Sequence, residues 1–262
     1  MNIPLYQVDS FSRTVFGGNP AAVCPLPAWL PDAQMQSIAL ENNLSETAFL
    51  VGNNGTYDLR WFTPTREVDL CGHATLASAY VVCTYLEAAS KQVAFSTRSG
   101  ILNVRRDGDL FVMDFPARPN ETVAAPPALA QSLGAVPREI YWSVDRFMAV
   151  FDSEKDVRAL APDFSRMATL SGSIGVIVTA KGSGETDFVS RFFAPQSGIP
   201  EDPVTGSAHC TLIPFWSQRL GKTRLYARQV SARGGELFCE LHGARVDIAG
   251  YVAPYLQGTI NL

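Results

Sequence analysis

The sequence predicts an α+β protein of two similar domains, each with short strands wrapped around one central buried helix. Three observations carry this. First, Arg60-Trp-Phe-Thr-Pro leading to Asp69-Leu-Cys-Gly72-His73-Ala is echoed by Arg191-Phe-Phe-Ala-Pro leading to Glu201-Asp202-Pro-Val-Thr-Gly206-Ser207-Ala. Each copy reads as a strand ending in proline, an acidic loop, and a glycine that opens an apolar helix. Second, strand signals dominate both halves. Third, a proline-rich stretch over residues 116–127 separates them as a linker. Residues 1–116 form an N-terminal half and 117–262 a C-terminal half, with room for the final strand to cross back.

Taken in order, apolar runs between turn residues predict strands over 5–8, 21–25, 47–51, 58–62, 93–96, 101–105 and 110–115. Gly-Asn-Pro at 18–20 and Asn53-Asn-Gly55 supply the turns. A helix is predicted over 31–42, with Pro31 suited to its first turn. A second helix, over 73–86, is apolar nearly all round and must be buried. Strands follow over 141–151, 175–179, 188–193, 237–241 and 244–248. The helix over 207–219 mirrors the one at 73, and Pro214 predicts a kink or an early break in it.

Composition narrows the function classes. Apolar residues make up 47% of the chain and charged ones 18%, which suits a well-buried core and excludes disorder. A net charge of −4 with no basic stripe argues against nucleic-acid binding. The opening residues read as a strand rather than a signal peptide, and no apolar run approaches a membrane span. Five cysteines, none in a CxxC pair and several among apolar neighbours, read as free thiols. The expected setting is the reducing cytoplasm.

The repeat points to function because helix N-termini attract anions through unpaired N–H groups and the macrodipole. Two such termini aimed at a shared cleft would hold an anionic small molecule. Ser45-Glu46 places a carboxylate where a helix-rich stretch meets a strand. It is either a solvated loop residue or a general acid/base whose pKa a partly dry cleft would raise. His73 follows Gly72 in the first turn of a buried helix. It either caps the helix or presents a neutral ring that donates to substrate, since that position disfavours the imidazolium. Glu201-Asp202 either complements a helix dipole or, with Gly206 and Ser207, forms a binding loop for a carboxylate. Asp202 would then hold His73 or a substrate amine.

Cys71 raises the alternative of a two-thiol racemase. The repeat pairs Cys71-Gly72 with Thr205-Gly206, so the second thiol is missing, and Cys210 lies about one helical turn further on. Zinc ligation by Cys71, His73, His209 and Cys210 is disfavoured, because neither spacing is a ligand pair; no metal is expected.

Five ordered motifs now suggest a family. Val8-Asp-Ser-Phe, Phe16-Gly-Gly-Asn-Pro-Ala-Ala-Val23, Leu44-Ser-Glu-Thr-Ala-Phe49, Asp69-Leu-Cys-Gly-His-Ala-Thr75 and Glu201-Asp-Pro-Val-Thr-Gly-Ser-Ala208 span nearly the whole chain. Together they resemble the PhzF-type phenazine-biosynthesis isomerases, of the diaminopimelate-epimerase-like fold. The resemblance implies Glu46 as proton-shuttling acid/base, assisted by His73 and Asp202. It further implies that Gly72, Gly206 and Ser207 bind the substrate carboxylate or neighbouring polar groups. A reaction without metal or organic cofactor, on trans-2,3-dihydro-3-hydroxyanthranilate or a similar ring acid, and a homodimer are implied as well. The alternatives are a racemase or epimerase that uses Cys71, and a small-ligand-binding protein that has lost turnover.

Overall fold

The duplicated motif folds as a duplicated order of strand pairing. The computed structural model describes residues 1–124 and 126–262, so residue 125 of the expected linker lies outside the described residues. The chain divides into a first unit, Met1–Phe115 with Asp247–Leu262, and a second unit, Pro116–Val246. No helix among the described residues is long and apolar enough to cross a membrane.

The first unit opens with β1 (Asn2–Ser10), β2 (Asn19–Leu26), α1 (Asp32–Asn42), β3 (Glu46–Asn53), β4 (Thr56–Phe62) and β5 (Glu67–Val68). It continues through α2 (Gly72–Val81), a π-helical turn over Val82–Leu86, β6 (Gln92–Thr97), β7 (Gly100–Asp107) and β8 (Leu110–Pro116). β1 and β2 run antiparallel, β2 and β3 parallel, and β3 and β4 antiparallel. β4 then pairs parallel with β6, which pairs antiparallel with β7. The parallel steps need crossovers, and α1 and α2 supply them. From His73 to Ala79 every residue of α2 is buried, as its all-round apolarity predicts. Each fully buried side chain such as Leu76 contributes roughly 1.5–3 kcal/mol.

The second unit holds β9 (Glu121–Thr122), α3 (Pro127–Leu133), β10 (Glu139–Ser143), β11 (Arg146–Val150), α4 (Glu154–Ala159), α5 (Phe164–Met167) and β12 (Val176–Lys181). β13 (Phe188–Ala194), β14 (Ile199–Asp202), α6 (Gly206–Leu220), β15 (Arg224–Gln229) and β16 (Gly235–His242) follow, and β17 (Arg245–Gly250) starts in this unit and runs on into the chain of the first. The pairing order from β10 to β16 repeats that of the first unit: antiparallel, parallel, antiparallel, parallel, antiparallel. The last strand, β18 (Val252–Asn261), lies antiparallel to β1 with Asn2 opposite Asn261.

Three expectations change. The predicted strand over 141–151 is a hairpin, because Val144 takes φ 57° and turns the chain between Ser143 and Arg146. The predicted linker is partly structured: β9 pairs with β10, and α3 begins at Pro127. α6 runs through Pro214 without a break. Proline has no N–H to offer the carbonyl four residues back, and that carbonyl, on Cys210, instead accepts the Arg118 N–H at 2.9 Å. β15, β18 and the short helices α3 to α5 escaped the sequence reading, since their apolar periodicity is weak.

Register equates the units residue by residue. Phe49 faces Arg60 in the first unit as Val178 faces Arg191 in the second, and Trp61 faces Val68 as Phe192 faces Asp202. Counting along each strand and loop, the position of Glu46 corresponds to Gly175, Val68 to Asp202, Cys71 to Thr205 and His73 to Ser207.

Candidate active site

In the first unit, the turn after α1 delivers Glu46. Asn43 adopts the left-handed conformation and caps α1, Asn42 donates to the Thr47 hydroxyl at 3.0 Å, and Glu46 begins β3 opposite Ala21. The loop into α2 is held by Arg60, whose Nε and Nη2 meet the two carboxylate oxygens of Glu67 at 2.7 and 2.8 Å. Cys71 is the extended N-cap residue and Gly72 the first residue of α2. The Ser10 hydroxyl donates to the His73 carbonyl at 2.8 Å and fixes that first turn.

His73 does not cap the helix. Its Nε2 lies 3.2 Å from Glu46 Oε2, and both side chains are buried. Its Nδ1 lies 3.1 Å from the Asn19 amide nitrogen and 3.5 Å from Cys71 Sγ. With Asn19 donating to Nδ1, the ring proton sits on Nε2, whose 3.2 Å approach to Glu46 Oε2 is a close contact without hydrogen-bond alignment. Burial pushes the His73 pKa down to about 3, against a weaker opposite pull from a hydrogen bond at the Pro20 backbone, so the ring is neutral at ordinary pH. Desolvation, rather than the helix N-terminus, is what favours the neutral ring.

Donor atoms of Glu46, Cys71 and His73 lie within 4.8 Å of one another, the one group among the described residues that could hold a metal ion. The carboxylate approaches Nε2 and the thiol Nδ1, on different edges of the ring. That geometry suits separate contacts better than one ion bound by all three.

In the second unit, Asp202 ends β14 and Thr205 is the extended N-cap residue of α6. The Thr205 hydroxyl donates to Asp202 Oδ2 at 2.5 Å. Gln229, fully buried at the end of β15, accepts the Thr205 N–H at 2.8 Å and donates to the Asp202 carbonyl at 2.7 Å. Glu201 is tied to Arg191 through both carboxylate oxygens at 2.7 and 2.9 Å, matching the pair between Arg60 and Glu67. Ser207 accepts from Arg146 Nη1 at 3.0 Å. His209 contacts the Thr205 carbonyl at 2.8 Å, and burial lowers its pKa to about 4. Cys210 is buried one turn into the helix, and desolvation raises its pKa to about 11, so its thiol stays protonated.

The structure thus gathers Glu46, Gly72 and His73 in one unit, and Asp202, Gly206 and Ser207 along one loop and helix start in the other. Sequence reasoning missed Asn19, Gln229 and Arg146. Asn19 stood inside a motif read as a turn. Arg146 was visible as a charge within an apolar run, while Gln229 carried no signal. A surface cavity of about 600 Å³ in the first unit, lined by Glu87, Arg105, Asp114 and Asp247 among others, contains none of these residues.

The strand order and the two helices define the diaminopimelate-epimerase-like fold. A hydroxyproline epimerase from Agrobacterium vitis shares that fold, with a TM-score of 0.61 at 11% identity over 99% of this chain and 91% of its own. The family described as phenazine biosynthesis-like protein, PhzC-PhzF, matches residues 8–258, and the chain belongs to it. An uncharacterized isomerase of Pseudomonas aeruginosa is 55% identical over 262 residues, covering all of both chains. The crystal structure of a PhzF-family phenazine biosynthesis protein from Enterococcus faecalis superposes with a TM-score of 0.96 at 47% identity, again over all of both chains. This chain is accordingly an enzyme, an isomerase of the PhzF type.

Proposed function

We propose that the protein is a cofactor-independent isomerase that moves a proton on a small, cyclic, carboxylated substrate resembling trans-2,3-dihydro-3-hydroxyanthranilate. The observation that carries this is the buried contact of 3.2 Å between Glu46 and an imidazole that burial keeps neutral. In this reading the Glu46 carboxylate removes a proton from a substrate carbon and returns it to another on the same face. His73 stands beside the carboxylate without competing for the proton, because its own pKa lies far below neutrality. Asp202 is assigned to a polar or amino group of the substrate, and Gly72, Gly206 and Ser207 to its carboxylate, on the family likeness. A cytoplasmic homodimer belongs to the same proposal.

The test is incubation in D2O with trans-2,3-dihydro-3-hydroxyanthranilate, followed by NMR, with Glu46→Gln as control. Isomerised product that requires Glu46 supports the reading, and turnover undiminished in Glu46→Gln removes Glu46 from the mechanism.

A second reading has its own observation, the 3.5 Å approach of Cys71 Sγ to His73 Nδ1. A racemase or epimerase would use that thiol as one of two bases. Cys71→Ser decides: full activity removes the thiol from the chemistry.

A further inference from the structure

In the first unit, the residue that begins β2 is Asn19, paired across the hairpin with Ser10, and its side chain reaches His73 in the first turn of α2. In the second unit, the residue that begins β11 is Arg146, paired across the hairpin with Ser143, and its side chain reaches Ser207 in the first turn of α6. One architectural position has thus been filled by a neutral amide in one copy and by a guanidinium in the other.

The cation sits where it is least welcome. The positive end of a helix dipole disfavours a neighbouring positive charge, and the Arg146 side chain is only 4% exposed. Asp145 meets Arg146 Nε at 2.7 Å and Nη2 at 3.4 Å but is itself 36% exposed, so it is a partly solvated counter-ion. The position equivalent to Glu46 offers no carboxylate, being Gly175, and Phe192 lies beneath the guanidinium at 5.3 Å. A second cation adds to the same field. Arg118 and Arg146 both act to hold down the pKa of Cys210, one turn along α6, and the buried Nη1 of Arg118 has no hydrogen-bond partner among the described residues. The turn that aims Arg146 is strained, with Val144 at φ 57°.

We infer that Arg146, acting with Ser207, is the residue by which the second unit binds the carboxylate of the substrate. This rests on the isomerase reading above and gives its carboxylate a specific cationic partner. Arg118 and Arg146 stand against Asp145 and Asp202, a balance that suits a singly charged carboxylate better than a doubly charged phosphate. A guanidinium with N–H groups left over from Asp145 and Ser207 has the planar geometry a carboxylate needs.

The test uses the intact protein labelled with 15N at arginine side chains. 3-Hydroxyanthranilate, an aromatic analogue, is titrated against its carboxamide and against inorganic phosphate. The carboxylate should shift the Arg146 Nε resonance while the carboxamide and phosphate leave it in place. Arg146→Gln should weaken carboxylate binding by about 10- to 100-fold, leave carboxamide binding alone, and raise KM more than it lowers kcat. Arg146→Lys should recover part of the loss. An Arg146 resonance unmoved by the carboxylate, whether bound elsewhere or not bound, overturns the inference. So does an Arg146→Gln protein that still prefers carboxylate to carboxamide. Glu46-dependent deuterium transfer is scored separately, so either idea can fail while the other stands.

Discussion

The two units share a frame and differ in chemistry. Each uses the same order of strand pairing, a parallel step bridged by a buried helix, and a bidentate arginine–glutamate pair that ties down the loop before it. At the helix start, however, the first unit carries Glu46, Cys71 and His73, while the equivalent positions in the second are Gly175, Thr205 and Ser207. Asp202 in turn replaces Val68. The scaffold contacts persist in both copies because each must deliver a glycine to a helix N-terminus. The groups proposed to meet a ligand have diverged. A symmetrical two-base mechanism would need matching groups in both copies, and among the described residues only the first unit combines a buried carboxylate with a neutral imidazole.

The sharpest way to break this comparison is Glu46→Gln. It should lower kcat by about 10²- to 10⁴-fold with substrate affinity retained, measured by single-turnover NMR and direct binding. An equal loss from Cys71→Ser would show that the first unit works through its thiol instead.

Next in size is an effect common to both units. Burial holds His73 at about 3 and His209 at about 4, against roughly 6.5 in the unfolded chain. Between about pH 4 and 6.5 the unfolded chain binds up to two more protons than the folded one, so stability falls as pH drops through that window. Glu139, held low chiefly by Arg219, and Glu154, held low chiefly by Ser183, lose their contributions only below about pH 4.5. Urea denaturation across pH checks this. His209→Gln should roughly halve the slope, and an unchanged slope would mean that His209 is not held neutral.

Gln229→Leu strands the Thr205 N–H and the Asp202 carbonyl, and should cost about 1–3 kcal/mol while disturbing only the second unit. Gly175→Ala tests why the second copy lacks a carboxylate. A Cβ there would lie 2.6 Å from the Phe192 ring and from the Phe193 carbonyl, so a loss of about 1–3 kcal/mol is expected in thermal melts. The smallest effect belongs to Pro214→Ala. Interior proline normally costs a helix about 3 kcal/mol, but the carbonyl it orphans is already bonded to Arg118. A change below about 1 kcal/mol is expected; a larger gain would show that Pro214 strains α6.

Much of the frame could be read before folding. The apolar run after Gly72 has no polar face, so it can only be buried, and alternation between turn residues located β1 to β4 and β6 to β8. The repeat of arginine, proline, acid and glycine was legible because it lies within two short windows. Glu46 and His73 could be nominated for the same reason: each sits at an element end set by local pattern. Their contact could not be read, since it depends on the parallel pairing of β2 with β3 across a helix. The continuity of α6 was hidden too, because the group that satisfies Cys210 comes from Arg118, more than 90 residues away. Arg146 and Gln229 reach helix-start partners that lie 61 and 24 positions distant. Local pattern therefore determines which segments become strands and helices and where the glycines open them, because those preferences act over a few residues. Protonation, hydrogen-bond partner and the difference between the two helix starts come only with packing, which sets burial and brings distant charges together.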